Sequence, residues 1–176
     1  MNACKETQTG YIRCLREMET SSEDLAGQEQ VRVFESVREA AKFLSTTEGK
    51  ILITTGSKEL KEYTKIGNYQ ERCFARVLST KAAMEESVRL GFEGKHLIAM
   101  QGPFSEEMNL ALLHQTRARY FVTKESGKAG GFEEKLKAAK KAGAVLIVIG
   151  RPQERGRSVQ EVCHFIESNF GKKEQE

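Results

Sequence analysis

Five short apolar runs recur along the chain, and helical spacing of apolar residues separates them. The runs are Ile51-Leu52-Ile53-Thr54, Cys73 to Leu78, His96 to Met100, Tyr120 to Thr123 and Val145 to Ile149. The first, third and fifth are nearly continuous in apolar residues, as expected of strands covered on both faces of a parallel sheet. Helix start signals stand beside them. Ser36-x-x-Glu39 reads as a capping box, with Val37, Ala40, Ala41 and Leu44 at helical spacing behind it. Thr80 precedes Ala83, Met84, Val88 and Leu90, and Gly91 closes that pattern. Ser105 precedes Glu106 and Glu107, carboxylates that suit the first turn of a helix. Phe132, Leu136 and Ala139 mark a further helix that ends at Gly143, and Ser158-x-x-Glu161 opens the last, with Val162, Phe165 and Ile166 on one face.

This alternation predicts βαβ units with right-handed crossovers. The fold class is α/β: a Rossmann-like parallel sheet of about five strands flanked by helices. The start of the chain differs. Tyr11 to Leu15 allows a sixth strand, and Met18 to Gln30 is polar and reads as a linker. The expected organisation is therefore residues 1–30 as the remnant of a preceding second domain and its linker, 31–170 as the α/β domain, and 171–176 as a charged, frayed tail.

Composition narrows the function. A chain of 176 residues suits one domain, or one domain plus a fragment. The net charge is only +3, with acids and bases interspersed, which argues against a nucleic-acid binder with a basic stripe. Lys137, Lys140 and Lys141 read as the solvated face of a helix. Cys4, Cys14, Cys73 and Cys163 are scattered with no C-x-x-C pair, which reads as reduced thiols in a cytoplasmic protein. His96, His114 and His164 lack metal-ligand spacing, so no metal site is expected. The longest apolar run, Ala144 to Ile149, is too short for a membrane span, and Met1 to Gly10 does not read as a signal peptide.

The chemistry is expected at the carboxyl ends of the strands, where open α/β sheets bind ligands. After the fourth run come Thr123 and Lys124, then Ser126-Gly127 and Gly130-Gly131, leading into a helix. Glycines at such a junction let backbone N–H groups converge on an anion, and the helix N-terminus adds partial positive charge. The plainer reading is a packing turn, but hydroxyl, ammonium and paired glycines coincide here. The loop matches neither G-x-x-x-x-G-K-[S/T] nor the full G-x-G-x-x-G fingerprint. After the third run stand Gly102, Pro103, Phe104 and Ser105. Ser105 reads first as an N-cap, and Phe104 either as core or as a stacking surface. Thr55, Gly56 and Ser57 follow the first run, making a third loop of the same kind. Arg76 and Arg151 add guanidinium groups suited to carboxylate or phosphate, although a surface ion pair is the plainer role for Arg76. No nucleophile–His–acid arrangement emerges, so no catalytic residue is assigned. Loops rich in donors and poor in carboxylates suit holding an anionic ligand better than hydrolysis.

Together these motifs resemble the precorrin-6A and cobalt-precorrin-6A reductases of cobalamin biosynthesis. The resemblance rests on Gly102-Pro103-Phe104-Ser105 with Glu107 and Asn109, on Thr123-Lys124 with Ser126-Gly127 and Gly130-Gly131, on Glu134-Lys135 with Ala138-Ala139, and on Arg151-Pro152. Thr55 to Leu60 and Ala75 to Leu78 are also similar to the family. The resemblance implies an oxidoreductase that uses NADPH or NADH. It implies hydride delivery to one double bond of a polycarboxylate tetrapyrrole, the corrin precursor, with a proton reaching the neighbouring carbon. Two departures stand out. The Gly-rich strand–turn–helix and the Asp-Ala-Thr-His-Pro segment of the family are absent, so the chain is expected to correspond to the C-terminal part. Its partner would be a missing N-terminal half or a second copy. Glu125 stands where the family more often has Asp or Asn. The alternative is a non-catalytic α/β module that binds a nucleotide or tetrapyrrole. A flavodoxin-like receiver or FMN protein fits the alternation but lacks the acidic pocket or phosphate loop it needs.

Overall fold

Alternating apolar runs and capped helices fold into a six-stranded, fully parallel sheet. The computed structural model describes residues 2–15, 29–125, 131–150 and 156–170. In chain order the elements are α1 (Asn2–Glu6), β1 (Val31–Phe34), α2 (Val37–Ser45), β2 (Lys50–Ile53), α3 (Leu60–Tyr63), α4 (Tyr69–Arg72), β3 (Cys73–Val77), α5 (Lys81–Arg89), β4 (Leu97–Ala99), α6 (Glu106–Thr116), β5 (Ala118–Lys124), α7 (Phe132–Ala142), β6 (Val145–Ile149) and α8 (Val159–Phe170). The sheet order is β1-β6-β5-β2-β3-β4.

The chain divides into two compact units, residues 20–151 and residues 1–19 with 152–176. The larger unit holds the sheet. Its strands alternate sides, so each contributes to two cores. Ile51, Ile53, Cys73, Ala75, Val77, Tyr120, Val122, Ile147 and Ile149 pack on one face, beneath α2, α3 and α5. Leu52, Phe74, Phe121, Leu146 and Val148 pack on the other, beneath α6 and α7. The helix starts are the expected ones. Ser36 accepts from the Glu39 amide, Thr80 from Ala83 and Ser105 from Met108. Lys137 and Lys141 are exposed and lie 2.7 and 2.6 Å from Glu133 and Glu106, a solvated face as the pattern implied.

Two features differ from the sequence expectation. Val31–Phe34 is a sixth strand of the main sheet, paired with β6 from Val31↔Leu146 to Phe34↔Ile149. Four residues after a polar stretch carry too little pattern to announce a strand, and its pairing partner lies far along the chain. Tyr11 to Leu15, in contrast, forms only an isolated parallel bridge, Cys14↔Arg157. That bridge lies in the smaller unit with α8. There Ser158 accepts from the Glu161 amide, and the Arg157 guanidinium sits 4.8 Å from the Phe165 ring centroid. The compact unit that holds α8 also holds the first residues of the chain. Among the described residues no helix is long and apolar enough to cross a membrane, and no metal-ligating cluster forms.

Candidate functional site

The strand order creates a switch point. From β2 the chain proceeds to β3 on one side, and from β5 to β6 on the other, while β2 and β5 are direct neighbours. Connections leaving adjacent strands in opposite directions open a crevice beyond their carboxyl ends. Thr54 stitches that crevice at its base. Its amide and its hydroxyl both donate to the Val122 carbonyl, at 2.9 and 2.7 Å.

A cleft of about 540 Å³ lies along this edge, lined by residues from the ends of β2, β3 and β4 and the start of α7. Gly56 contributes from the β2 loop with φ of +90°, a conformation that glycine adopts without strain. Gly102, Pro103 and Phe104 contribute from the β4 loop, and the peptide between Gly102 and Pro103 is cis. Gly131, with φ of +63°, is the residue from which α7 starts, and it lines the cleft.

Among the described residues two charged side chains line the cleft, and both are cations. Arg76 lies in β3 on the face beneath α6 and α7, as its alternation with Phe74 requires, and is 5% exposed. Its Nη1 donates to Oδ1 of buried Asn109 at 2.8 Å, and its guanidinium carbon stands 3.9 Å from the Phe104 ring centroid. Asn109 Nδ2 in turn donates to the Ser105 carbonyl at 2.8 Å, so the α6 N-terminus fixes the arginine. Burial pulls the Arg76 pKa down to about 10. Lys135, one turn into α7, is 9% exposed. Burial, then repulsion from Arg76, lowers its pKa to about 8 against an opposing pull from Glu134.

The predicted residues divide. Gly56, Arg76, Gly102, Pro103, Phe104 and Gly131 share the cleft. Thr55 is buried and its hydroxyl lies 3.3 Å from that of Tyr63, while Ser57 starts a 3₁₀ turn nearby. Thr123 is buried within β5, and its hydroxyl bonds to the Lys124 carbonyl. The Lys124 ammonium lies 3.0 Å from Glu59. Ser105 caps α6, the plainer of its two readings. Arg76 is held by a neutral amide and an aromatic ring rather than in a surface ion pair. Ser126, Gly127, Gly130 and Arg151 lie outside the described residues. Lys135 and Asn109 were not foreseen as site residues. The signal for Lys135 was present: it falls three residues after Phe132 and three before Ala138, on the apolar stripe of α7.

Comparison with known proteins gives one consistent answer. A family model described as precorrin-6x reductase CbiJ/CobK matches residues 1–167. A cobalt-precorrin-6A reductase of Priestia megaterium is 37% identical over 172 residues, covering 94% of this chain and 66% of that protein. One from Methanothermobacter thermautotrophicus is 37% identical over 156 residues, covering 87% of this chain and 49% of that protein. The chain thus spans about half to two thirds of the length of these curated relatives. A solved structure of a CobK precorrin-6A reductase superposes with a TM-score of 0.67 at 18% identity, over 97% of this chain and 67% of that one, which speaks for the fold.

Proposed function

The chain belongs to the precorrin-6x reductase CbiJ/CobK family, and we propose that it supplies a ligand cleft of a reductase that uses NADPH or NADH to reduce one double bond of precorrin-6A or its cobalt form. The observation that carries this reading is the charge of the cleft. Its charged lining groups among the described residues, Arg76 and Lys135, are both buried cations, and the N-cap residue of α7, Gly131, lines it beside them. A dinucleotide brings phosphates and a corrin precursor brings carboxylates, so the donor set fits either. The volume of about 540 Å³ suits one ligand part of drug-like size, not a dinucleotide and a macrocycle together. This cleft therefore takes one end of the ligand pair.

A bound nicotinamide cofactor would supply the hydride. The chain's task is to hold and orient. The glycines at 56 and 131 let backbone amides approach an anionic group, and Phe104 offers a flat apolar wall beside the guanidinium. The proposed setting is the cytoplasm, in keeping with four cysteines in the free thiol state.

Fluorescence titration with NADPH and NADH tests the cofactor half: saturable binding at micromolar to millimolar concentration is expected, and none at millimolar overturns it. Turnover of cobalt-precorrin-6A by this chain separates a reductase from a module that binds without reaction.

A further inference from the structure

We propose that this cleft receives the macrocycle rather than the cofactor, and that Arg76 takes one of its carboxylates side-on through Nε and Nη2, steadied by a Phe104 ring that is seated on Gly102. The proposal rests on the reductase reading and chooses between the two ligands left open there, while the site itself rests on the geometry of the cleft wall.

Arg76 is held with one edge to spare. Asn109 accepts from Nη1 at 2.8 Å, and Phe104 covers a face of the guanidinium, its ring centroid 3.9 Å from the central carbon. Nε and Nη2 make no hydrogen bond to the described residues. Those two N–H groups point the same way from a planar fork, at the spacing of the two oxygens of a carboxylate. The residue is 5% exposed, so bulk water offers its charge little, and a neutral amide does not balance it. No carboxylate lines the cleft among the described residues, so the balancing anion comes with the ligand.

The ring that steadies the guanidinium depends on a missing side chain. A Cβ on Gly102 would stand 3.1 Å from Cε2 and 3.3 Å from Cδ2 of Phe104. Gly102 does not have a positive φ, so its bareness serves space rather than backbone conformation. The Phe104 ring packs against the Gly102 backbone and the Arg76 guanidinium at once.

The rest of the wall decides between the two anions. Val77, Leu78, Met100, Pro103 and Phe104 line the cleft, and Leu78 is 53% exposed. A group that meets Arg76 therefore brings apolar surface within one contact of its charge. A corrin precursor does so, since its carboxylates stand on short alkyl arms of a largely apolar ring system. The phosphates of a dinucleotide lie between riboses and gain nothing from such walls. The other anion-attracting feature, the start of α7, already has acids beside it. Glu133 and Glu134 stand in its first turn, and a Cβ on Gly131 would lie 3.5 Å from Glu134 Oε2. A phosphate brought there would meet like charge.

Fluorescence titration of the whole chain compares NADPH, a soluble tetracarboxylate porphyrin and the tetraamide of that porphyrin, which keeps the ring and removes the charge. The tetracarboxylate should bind wild-type protein about ten-fold more tightly than the tetraamide. Arg76→Lys keeps a cation but loses the fork. It should weaken the tetracarboxylate about ten-fold and change the tetraamide and NADPH by less than about two-fold. Gly102→Ala should weaken the tetracarboxylate about three-fold, and in a Phe104→Leu background it should cost nothing further, because the effect runs through the ring. Each variant is checked for native far-ultraviolet circular dichroism, and the comparison of the two porphyrins on wild-type protein needs no substitution. A tetraamide bound as tightly as the tetracarboxylate overturns the proposal. So does an Arg76→Lys variant that loses NADPH and spares the porphyrin, which gives the cleft to the cofactor and leaves the reductase reading standing. An undiminished cost of Gly102→Ala in the Phe104→Leu background overturns the part given to the ring. Porphyrin binding of the expected kind without NADPH binding keeps the proposal and removes the cofactor half of the reading. Absence of porphyrin binding overturns the proposal, and absence of NADPH binding as well overturns the reading with it.

Discussion

Removing the Asn109 side chain should destabilise the larger unit by about 2–3 kcal/mol. The magnitude follows from the bonds it makes. Oδ1 accepts from a buried guanidinium at 2.8 Å, and a hydrogen bond to a charged partner contributes about 1.5–3 kcal/mol. Nδ2 donates to the Ser105 carbonyl at 2.8 Å, a neutral bond of about 1 kcal/mol. Against this, the Arg76 edge faces a cleft that admits water, so part of the lost bonding is recovered. For a cooperative unit of this size the loss lowers Tm by roughly 6–12 °C. Urea unfolding of Asn109→Ala followed by circular dichroism, with thermal melts alongside, gives the number. Asn109→Asp is the informative companion. It keeps an acceptor for Arg76 but turns a second acceptor toward the Ser105 carbonyl, so it should also be less stable than wild type. If Asn109→Ala unfolds within about 0.5 kcal/mol of wild type at an unchanged m-value, the asparagine does not hold the arginine and the account of the cleft wall is wrong.

Three further outcomes are expected. Lys135→Met should be more stable than wild type by about 1–3 kcal/mol at pH 7. Because the folded pKa is about 8 against an ordinary 10.5, the cost is fully present below pH 8, and wild-type stability rises relative to the variant from pH 8 toward 10.5; urea curves at pH 7 and pH 10 decide, and a variant less stable by the same amount at both would contradict it. Cys14 and Cys163 are exposed, whereas burial pushes the buried Cys73 thiol up to about 12. A thiol reagent at pH 8 should label the first two quickly and Cys73 only in denaturant; prompt labelling of Cys73 in native protein would show a looser core. Glu59→Gln breaks an ion pair whose side chains are 34% and 49% exposed, so stability should change by less than about 1 kcal/mol. Freed from Glu59, Lys124 should bind NADPH two- to five-fold more tightly in a fluorescence titration, and unchanged affinity would remove Lys124 from the ligand site.

What could be read along the chain was what is local. Ser36, Thr80, Ser105 and Ser158 announce their helices because a cap is a contact over three residues, and all four caps form. β6 is legible to the residue because five consecutive branched side chains suit a strand covered on both faces. β5 starts at Ala118 rather than Tyr120, since its first residue pairs with Lys50, a partner no local pattern reveals. Val31–Phe34 carries no such local signal because its support comes from β6. The same contrast holds in the cleft. Gly56, Gly102 and Gly131 were legible as loop glycines at strand or helix ends. Lys135 was hidden among the acids and lysines of a charged helix, where composition suggests solvent and only helical phase points inward. Arg76 was legible as a guanidinium, but its anchoring through Asn109 depends on α6 lying over β3.

The strand order also has a consequence for synthesis. β1 leaves the ribosome before the strand it pairs with, β6, which follows roughly 115 residues later. Throughout that interval Val31, Val33 and Phe34 have no edge on which to dock, while β2 and β3 can already pair. Closing so distant a pair is slow, because the chain entropy of a long loop is lost before any contact is gained. Nascent chains halted before Val145 should therefore display Val31–Phe34 as an unpaired apolar strand, and these are the intermediates a chaperone would meet.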